Sequence, residues 1–165
     1  IVFGDWSSDV CSSDLGRCVF MVQREVARRM AARPGSKDYS SFSLLCRTFA
    51  EVETHFDAAP GSFYPPPEVV STVVELRPKI PCPAIADRRL YLDLLRALFA
   101  SRRKTIKNNM LRFAAGTGRD PEWAASVLDA AGIDPGARGE DLDAGDVARL
   151  ANAAAGRDRP PPGKE

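Results

Sequence analysis

The sequence predicts an α/β fold in two parts: a partial α/β domain followed by a small all-α domain. Three observations predict it. A continuous apolar run, Cys18-Val19-Phe20-Met21-Val22, passes straight into a helical pattern, as buried strands of parallel sheets do. Two β-patterned stretches, at 52–58 and 70–76, follow one another with no helix between them, which suits an antiparallel pair added to an otherwise parallel sheet. Beyond the Pro-rich 78–83 every periodic segment is helical.

Composition bounds the rest. The chain has 165 residues, 27% charged and 44% apolar, enough for one ordinary domain or two small ones and unlike a disordered chain. The net charge of +1 conceals a segregation. Six basic residues and no acid lie between Arg96 and Arg112, and eight acids and one Arg lie between Asp120 and Asp146. The four cysteines (Cys11, Cys18, Cys46, Cys82) show no C-x-x-C spacing and His55 is the single histidine, so the sequence offers no zinc site. Scattered cysteines fit a reducing, cytoplasmic setting. No apolar run approaches the ~20 residues of a membrane span, and no signal peptide is visible.

Residues 1–15, with Asp5-Trp6-Ser7-Ser8-Asp9-Val10-Cys11-Ser12-Ser13-Asp14-Leu15, fit neither periodic template. Codon by codon they resemble a translated sequencing-library adapter. They are set aside as an artefact, with native sequence expected from about Gly16. A sheet that lacks its first strands is then expected to expose an apolar edge and face.

In order along the chain, 18–22 is a buried strand and Gln23–Ala32 a helix with Val26 and Met30 inward, stopped by Pro34-Gly35-Ser36. Ser40 or Ser41 caps a second helix to Phe49, with Phe42, Leu45 and Phe49 as its buried stripe. From Val52 to Ala58 the pattern alternates, with Val52, Thr54 and Phe56 on one face and Glu53, His55 and Asp57 on the other. His55 falls on the polar side as a surface residue. Pro60-Gly61 turns the chain into Phe63-Tyr64-Pro65-Pro66-Pro67, a stiff extended loop. Val70–Leu76 is β-branched and reads as a strand. Pro78, Pro81 and Pro83 mark a linker. Four helices follow, at 88–99, 101–113, 121–131 and from Asp143 to about 154. Asp120-Pro121 caps the third, Gly132 ends it and Asp143 caps the last. The tail 157–165 is Pro-rich and polar, a disordered composition.

Chemistry is sparse. No G-x-G-x-x-G or P-loop is present, and one histidine cannot support a triad. Two features remain. Phe63 beside a rigid Pro loop at a strand edge is either a core plug, the commoner use of an aromatic, or a wall for a flat ligand. Arg102, Arg103, Lys104 and Lys107, with Arg96 and Arg112 nearby and Asn108 and Asn109 beside them, are either a solvated helix face or a phosphate-binding cluster. The absence of any intervening acid favours nucleic acid.

Four ordered motifs carry a resemblance. Phe20-Met21-Val22-Gln23-Arg24-Glu25-Val26 is similar to the F-M-[LV]-Q-[KR]-E-V segment of the bacterial small-subunit ribosomal RNA adenine N6-dimethyltransferases. Phe63-Tyr64-Pro65-Pro66-Pro67-Glu68-Val69-Val70-Ser71-Thr72-Val73 resembles their F-x-P-x-P-x-V-x-S-x-V element. Phe99-Ala100-Ser101-Arg102-Arg103-Lys104-Thr105-Ile106-Lys107-Asn108 resembles F-x-x-R-R-K-T-[IL]-x-N, and Gly132-Ile133-Asp134-Pro135 with Arg138 continues the match. The resemblance implies the last strands of a Rossmann-like methyltransferase sheet at 16–79 and a helical, rRNA-binding domain at 84–156. It implies S-adenosylmethionine as methyl donor and N6-dimethylation of two adjacent adenosines in the 3′-terminal hairpin of small-subunit (16S) rRNA. It also implies the 30S precursor as partner and a cytoplasmic monomer without membrane association.

Residue by residue, the resemblance implies target-base stacking by Phe63, a pocket rim at Tyr64 and Pro65, and rRNA contacts from Arg102, Arg103, Lys104, Lys107 and Asn108. The family's Gly-rich cofactor loop, acidic ribose ligand and Asn-x-Pro-Tyr motif lie upstream of Phe20, so no catalytic or cofactor-binding residue carries over, and these residues alone are expected to be inactive. Relatives that act as non-catalytic rRNA assembly or transcription factors, and macrolide-resistance methyltransferases of large-subunit rRNA, share parts of the pattern and stay open as alternatives.

Overall fold

A computed structural model describes residues 16–158. The adapter-like stretch 1–15 and most of the expected tail, 159–165, lie outside the described residues.

β1 (Cys18–Gln23) runs directly into α1 (Arg24–Ala31). α2 (Ser41–Phe49) passes directly into β2 (Ala50–Ala58), and β3 (Ser71–Pro78) completes a three-stranded sheet of order β1-β3-β2. β3 is antiparallel to both neighbours, so β1 and β2 run the same way on either side of it. The expected buried parallel strand is therefore an edge strand paired to β3. Its helix-facing residues Phe20 and Val22 are half-buried, whereas Val19 and Met21 on the other face are exposed by 56% and 48%. No described element covers that face.

The alternation expected for β2 holds only as far as Thr54. Thr54 pairs with Val74, but Asp57 pairs with Thr72, so two residues of β2 stand opposite Val73 alone. Such a bulge reverses the side-chain parity beyond it. Phe56, expected to face inward, is 64% exposed. Asp57, expected outward, accepts a 2.6 Å bond from Thr72 Oγ1 and pairs with Arg24 of α1 at 3.5 Å.

α1 and α2 cover one face of the sheet. A small cluster there is built on Ala27, Met30 and Val74, with Phe42, Cys46, Val52 and Leu76 against it. The larger core is formed by α3 (Arg88–Phe99), α4 (Ile106–Gly116), α5 (Pro121–Ala131) and α6 (Ala144–Asp158), and it also takes in Tyr39 and Leu44. α2 thus serves both. Phe42 and Cys46 meet the sheet cluster, while Leu44, Leu45 and Phe49 meet the helical core. The single stripe Phe42–Leu45–Phe49 is in fact two stripes, and the fully buried positions are Ser43, Leu44 and Thr48. Thr48 Oγ1 donates to the Leu44 carbonyl at 2.8 Å, which leaves the Tyr91 hydroxyl of α3 to donate to Thr48 at 2.6 Å. Tyr39 donates to the Leu142 carbonyl at 2.8 Å. The chain between β3 and α3 is tied down as well: Lys79 Nζ bonds the Arg47 carbonyl at the C-terminal end of α2, and Asn152 of α6 brackets Ala84 and Ala86.

Helix signals mostly act as expected. Ser40 caps α2 in a reciprocal capping box with Ser43. Asp120 caps α5 with Pro121 at its first position, and Gly132 ends it at φ 64°. α4 departs: it begins at Ile106 rather than Ser101. Thr105 is its N-cap, accepting from the Asn108 amide, and a Lys104-to-Ser101 turn precedes it. Arg102, Arg103 and Lys104 therefore stand on a loop.

One close approach fixes the geometry of that loop. A 3-10 turn at Gly139–Asp141 packs on the end of α3, where a Cβ on Gly139 would lie 2.6 Å from the Leu98 carbonyl oxygen. Gly139→Ala is expected to destabilise the fold by about 1–3 kcal/mol in denaturant titrations, as overpacking does. Gly116→Ala, at the end of α4 with open space at its Cβ, is expected to be neutral or stabilising by up to about 1 kcal/mol. Equal effects at the two sites would contradict this packing.

Candidate nucleic-acid interface

The loop that carries Phe63 leaves the carboxyl end of β2 through a 3-10 turn at Pro60–Ser62, with the Phe63 amide bonded to the Pro60 carbonyl. It returns at Val70, whose carbonyl accepts from the Arg24 amide at the start of α1. The loop therefore stands at the shared carboxyl end of the co-directional strands β1 and β2. Phe63 is half-buried and Tyr64 fully exposed, with Pro65 exposed beside it and the Tyr64–Pro65 bond cis.

The basic residues lie on the helical side, apart from the Phe63 loop in sequence. Arg103, Lys104, Lys107 and Asn108 are exposed. Arg102 is engaged: its Nε and Nη2 reach Glu140 Oε2 at 3.2 and 2.9 Å, and its Nη1 reaches the Lys37 carbonyl at 2.8 Å. Arg96 pairs with Asp93, and Arg112 reaches the Ser101 hydroxyl. Asn109, read in the sequence beside Asn108 as extra hydrogen-bonding capacity, is buried. Its Nδ2 holds the Leu98 carbonyl at 2.9 Å, so it supports the loop from beneath.

A helix start can itself bind phosphate through its free amides. At α4 those amides are taken. Ile106 donates to the Ala137 carbonyl, Lys107 to the Pro135 carbonyl, Asn108 to Thr105 Oγ1 and Asn109 to the Thr105 carbonyl. An anion here meets side chains only.

Electrostatics outside this surface is structural. His55, read as a plain surface residue, has a partner that the alternation hid: its Nε2 lies 2.9 Å from Glu75 Oε2 on β3. Glu75 is buried on the open face of the sheet, and its other oxygen accepts from Arg77 at 2.7 Å. Arg77 first, then His55, hold its carboxyl below the usual range. Burial pushes the Cys46 thiol up to about 11, which keeps it neutral and unreactive.

Among the described residues β1 enters α1 with no glycine between them. Two cavities, one between α4 and α5 and one beside Tyr39, are lined by no strand residue. The larger, about 570 Å³, is an apolar groove between α4 and α5. Among the described residues no cluster of His, Cys, Asp or Glu suits a metal ion, and no helix is long and apolar enough to cross a membrane.

The depressed Glu75 carboxyl gives a pH signature. Its ionised form adds stability above the unfolded carboxylate value near 4.3. That contribution is lost as pH falls through the lower folded value. Thermal melts from pH 7 to 2.5 are expected to show a shallower acid limb for Glu75→Gln than for the unaltered chain. Parallel limbs would remove the ion-pair account of this residue.

The profile of the ribosomal RNA adenine dimethylase family matches residues 11–155. A "Ribosomal RNA small subunit methyltransferase A" of Xanthomonas euvesicatoria pv. vesicatoria is 45% identical over 134 residues, covering 81% of this chain and 48% of the relative. One of the same name from Bacillus cytotoxicus is 41% identical over 137 residues, covering 82% and 47%. The chain thus spans about half the length of the curated relatives it matches. Among solved structures, a dimethyladenosine transferase from Plasmodium falciparum superposes with a TM-score of 0.68 at 23% identity, covering 86% of this chain and 58% of that one. The 23S rRNA methyltransferase ErmE gives 0.51 at 20%, covering 85% and 55%. These two show a shared fold. With a family profile over most of its length and the motifs of that family in order along it, the chain belongs to the ribosomal RNA adenine dimethylase family.

Proposed function

We propose that these residues are the C-terminal part of an enzyme that transfers methyl groups from S-adenosylmethionine to N6 of two adjacent adenosines in the 3′-terminal hairpin loop of small-subunit (16S) rRNA, acting on the 30S precursor. The cofactor site and the groups that position the reacting amine belong, in this reading, to sequence upstream of Phe20. The names of the relatives support the substrate class. The observation that carries the reading within the chain is the place of Phe63: a half-buried aromatic on a Pro-rich loop at the shared carboxyl end of β1 and β2, beside the fully exposed Tyr64.

The chemistry asked of these residues is positioning. The exocyclic amine of adenine is a weak nucleophile whose lone pair is delocalised into the ring, so rate comes from holding it in line with the methyl group. A base inside a hairpin must leave its stack to be held so. Phe63 replaces part of the lost stacking, an interaction worth roughly 1–3 kcal/mol per base. Tyr64 and Pro65 form the rim around it. Arg103, Lys104 and Lys107, with Asn108, serve the hairpin's phosphates and hold it while the base is out, beside an Arg102 that is tied to Glu140 and Lys37.

Two measurements test this reading. In the full-length enzyme, Phe63→Ala is expected to lower methyl transfer to 30S particles at least tenfold, with S-adenosylmethionine affinity unchanged. Equal losses in both would point to misfolding instead. The 165-residue chain alone is expected to bind rRNA but not the cofactor. Cofactor binding by calorimetry at micromolar affinity would place a cradle within these residues and overturn the division of labour.

A further inference from the structure

Three segments far apart in sequence meet at one place. The α1–α2 loop carries Arg33 and Lys37, the α3–α4 loop carries Arg102, Arg103 and Lys104, and the 3-10 turn before α6 carries Glu140. They are joined by directed bonds. Arg102 grips Glu140 through two nitrogens and the Lys37 carbonyl through the third. The Gly35 amide donates to the Glu140 carbonyl at 2.8 Å. Arg138 adds a longer approach to the other Glu140 oxygen at 3.9 Å. Each guanidinium nitrogen of Arg102 therefore has a partner within the chain, although the side chain is half-exposed, while Arg103, Lys104, Arg33 and Lys37 are exposed and make no ion pair among the described residues. Two acids stand close by: Asp38 is exposed on the same loop as Lys37, and Asp141 spends one oxygen on the Arg138 amide.

We propose that Arg102 is a positioning residue rather than a phosphate ligand: it clasps the α3–α4 loop to the α1–α2 loop, so that Lys37 and Arg33 join Arg103 and Lys104 in one cationic surface for the backbone of duplex RNA. This deepens, and rests on, the rRNA-binding reading above. A planar guanidinium suits the task, because it presents a rigid fork of donors to one carboxylate and a carbonyl at once. The exposed lysines and Arg103 suit the other task, since mobile cations neutralise phosphates without a fixed geometry. Duplex RNA fits better than a structured small anion because the cations are spread over two loops, and A-form RNA is held largely through its backbone.

The test uses the 165-residue chain and a fluorescein-labelled RNA hairpin, with Kd followed by anisotropy between 50 and 300 mM KCl. Removing one cation that neutralises a phosphate lowers the slope of log Kd against log salt by about one. Lys37→Ala, an exposed substitution, is expected to lower it by that amount, as is Arg103→Ala. Lys37→Ala is expected to add nothing in an Arg102→Ala background, because the loops are already uncoupled. Arg102→Lys keeps the charge but not the fork of donors that reaches Glu140 and the Lys37 carbonyl together, so it is expected to remove the Lys37 dependence as Arg102→Ala does. Additive effects of Arg102→Ala and Lys37→Ala, with the Lys37 dependence intact in Arg102→Lys, would make Arg102 a phosphate ligand and overturn the proposal. An unchanged slope for Lys37→Ala would also overturn it, by removing the second loop from the surface. Absence of any salt-dependent RNA binding, or binding indifferent to Arg103, Lys104 and Lys107 together, would sink the rRNA-binding reading itself.

Discussion

The constraint on which the rest of the structure depends is that α2 is buried on two sides. One nine-residue helix supplies Phe42 and Cys46 to the sheet cluster and Leu44, Leu45 and Phe49 to the helical core. Such a helix cannot rotate toward one partner without leaving the other. Its polar positions are used with equal economy. Ser43 bonds the Arg29 carbonyl of α1, and Thr48 joins Tyr91 of α3. Burying either hydroxyl alone costs about 1–3 kcal/mol if it is left without a partner, so these bonds also fix which helices α2 sits between. The Phe63 loop and the basic loop are thus carried on bodies that share a wall.

Most element boundaries were legible because they rest on local chemistry. Asp120-Pro121 and Gly132 bound α5, and Ser40 starts α2, through bonds that close within a few residues. The misreadings came from three sources. At α4 a run of Arg and Lys looked helical, but Thr105 is a better cap than Ser101, because the Ala137 and Pro135 carbonyls meet the amides that follow it. At β2 the alternation is interrupted by a bulge that no residue type announces, and everything beyond Thr54 changes face. The burial of β1 was overread for a third reason: apolar residues on both faces show that a strand suits a two-sided environment, whereas only one side is covered by described residues.

The candidate site was legible in residues but not in relations. Phe63 and the basic stretch stand out in the sequence. The connection of Arg102 to Lys37 and Glu140 spans 65 and 38 residues and follows no period. Basic and acidic residues segregate along the chain, at 96–112 and 120–146. In the fold, one acid from the acidic stretch, Glu140, is drawn into the middle of the basic surface. His55 and Glu75 repeat the lesson on the sheet, where a partner 20 residues away sets a surface histidine against a buried carboxylate that Arg77 also holds.

The occupied amides at the start of α4 have a consequence for selectivity. A phosphate seated on a helix start is held by fixed donors and must arrive at one angle. With those donors already closed by Ala137 and Pro135, recognition on this side passes to long, rotatable side chains, which tolerate a range of backbone paths. Under the proposed function, that makes the helical half a forgiving handle on an RNA backbone and leaves discrimination between bases to the Pro-flanked loop around Phe63.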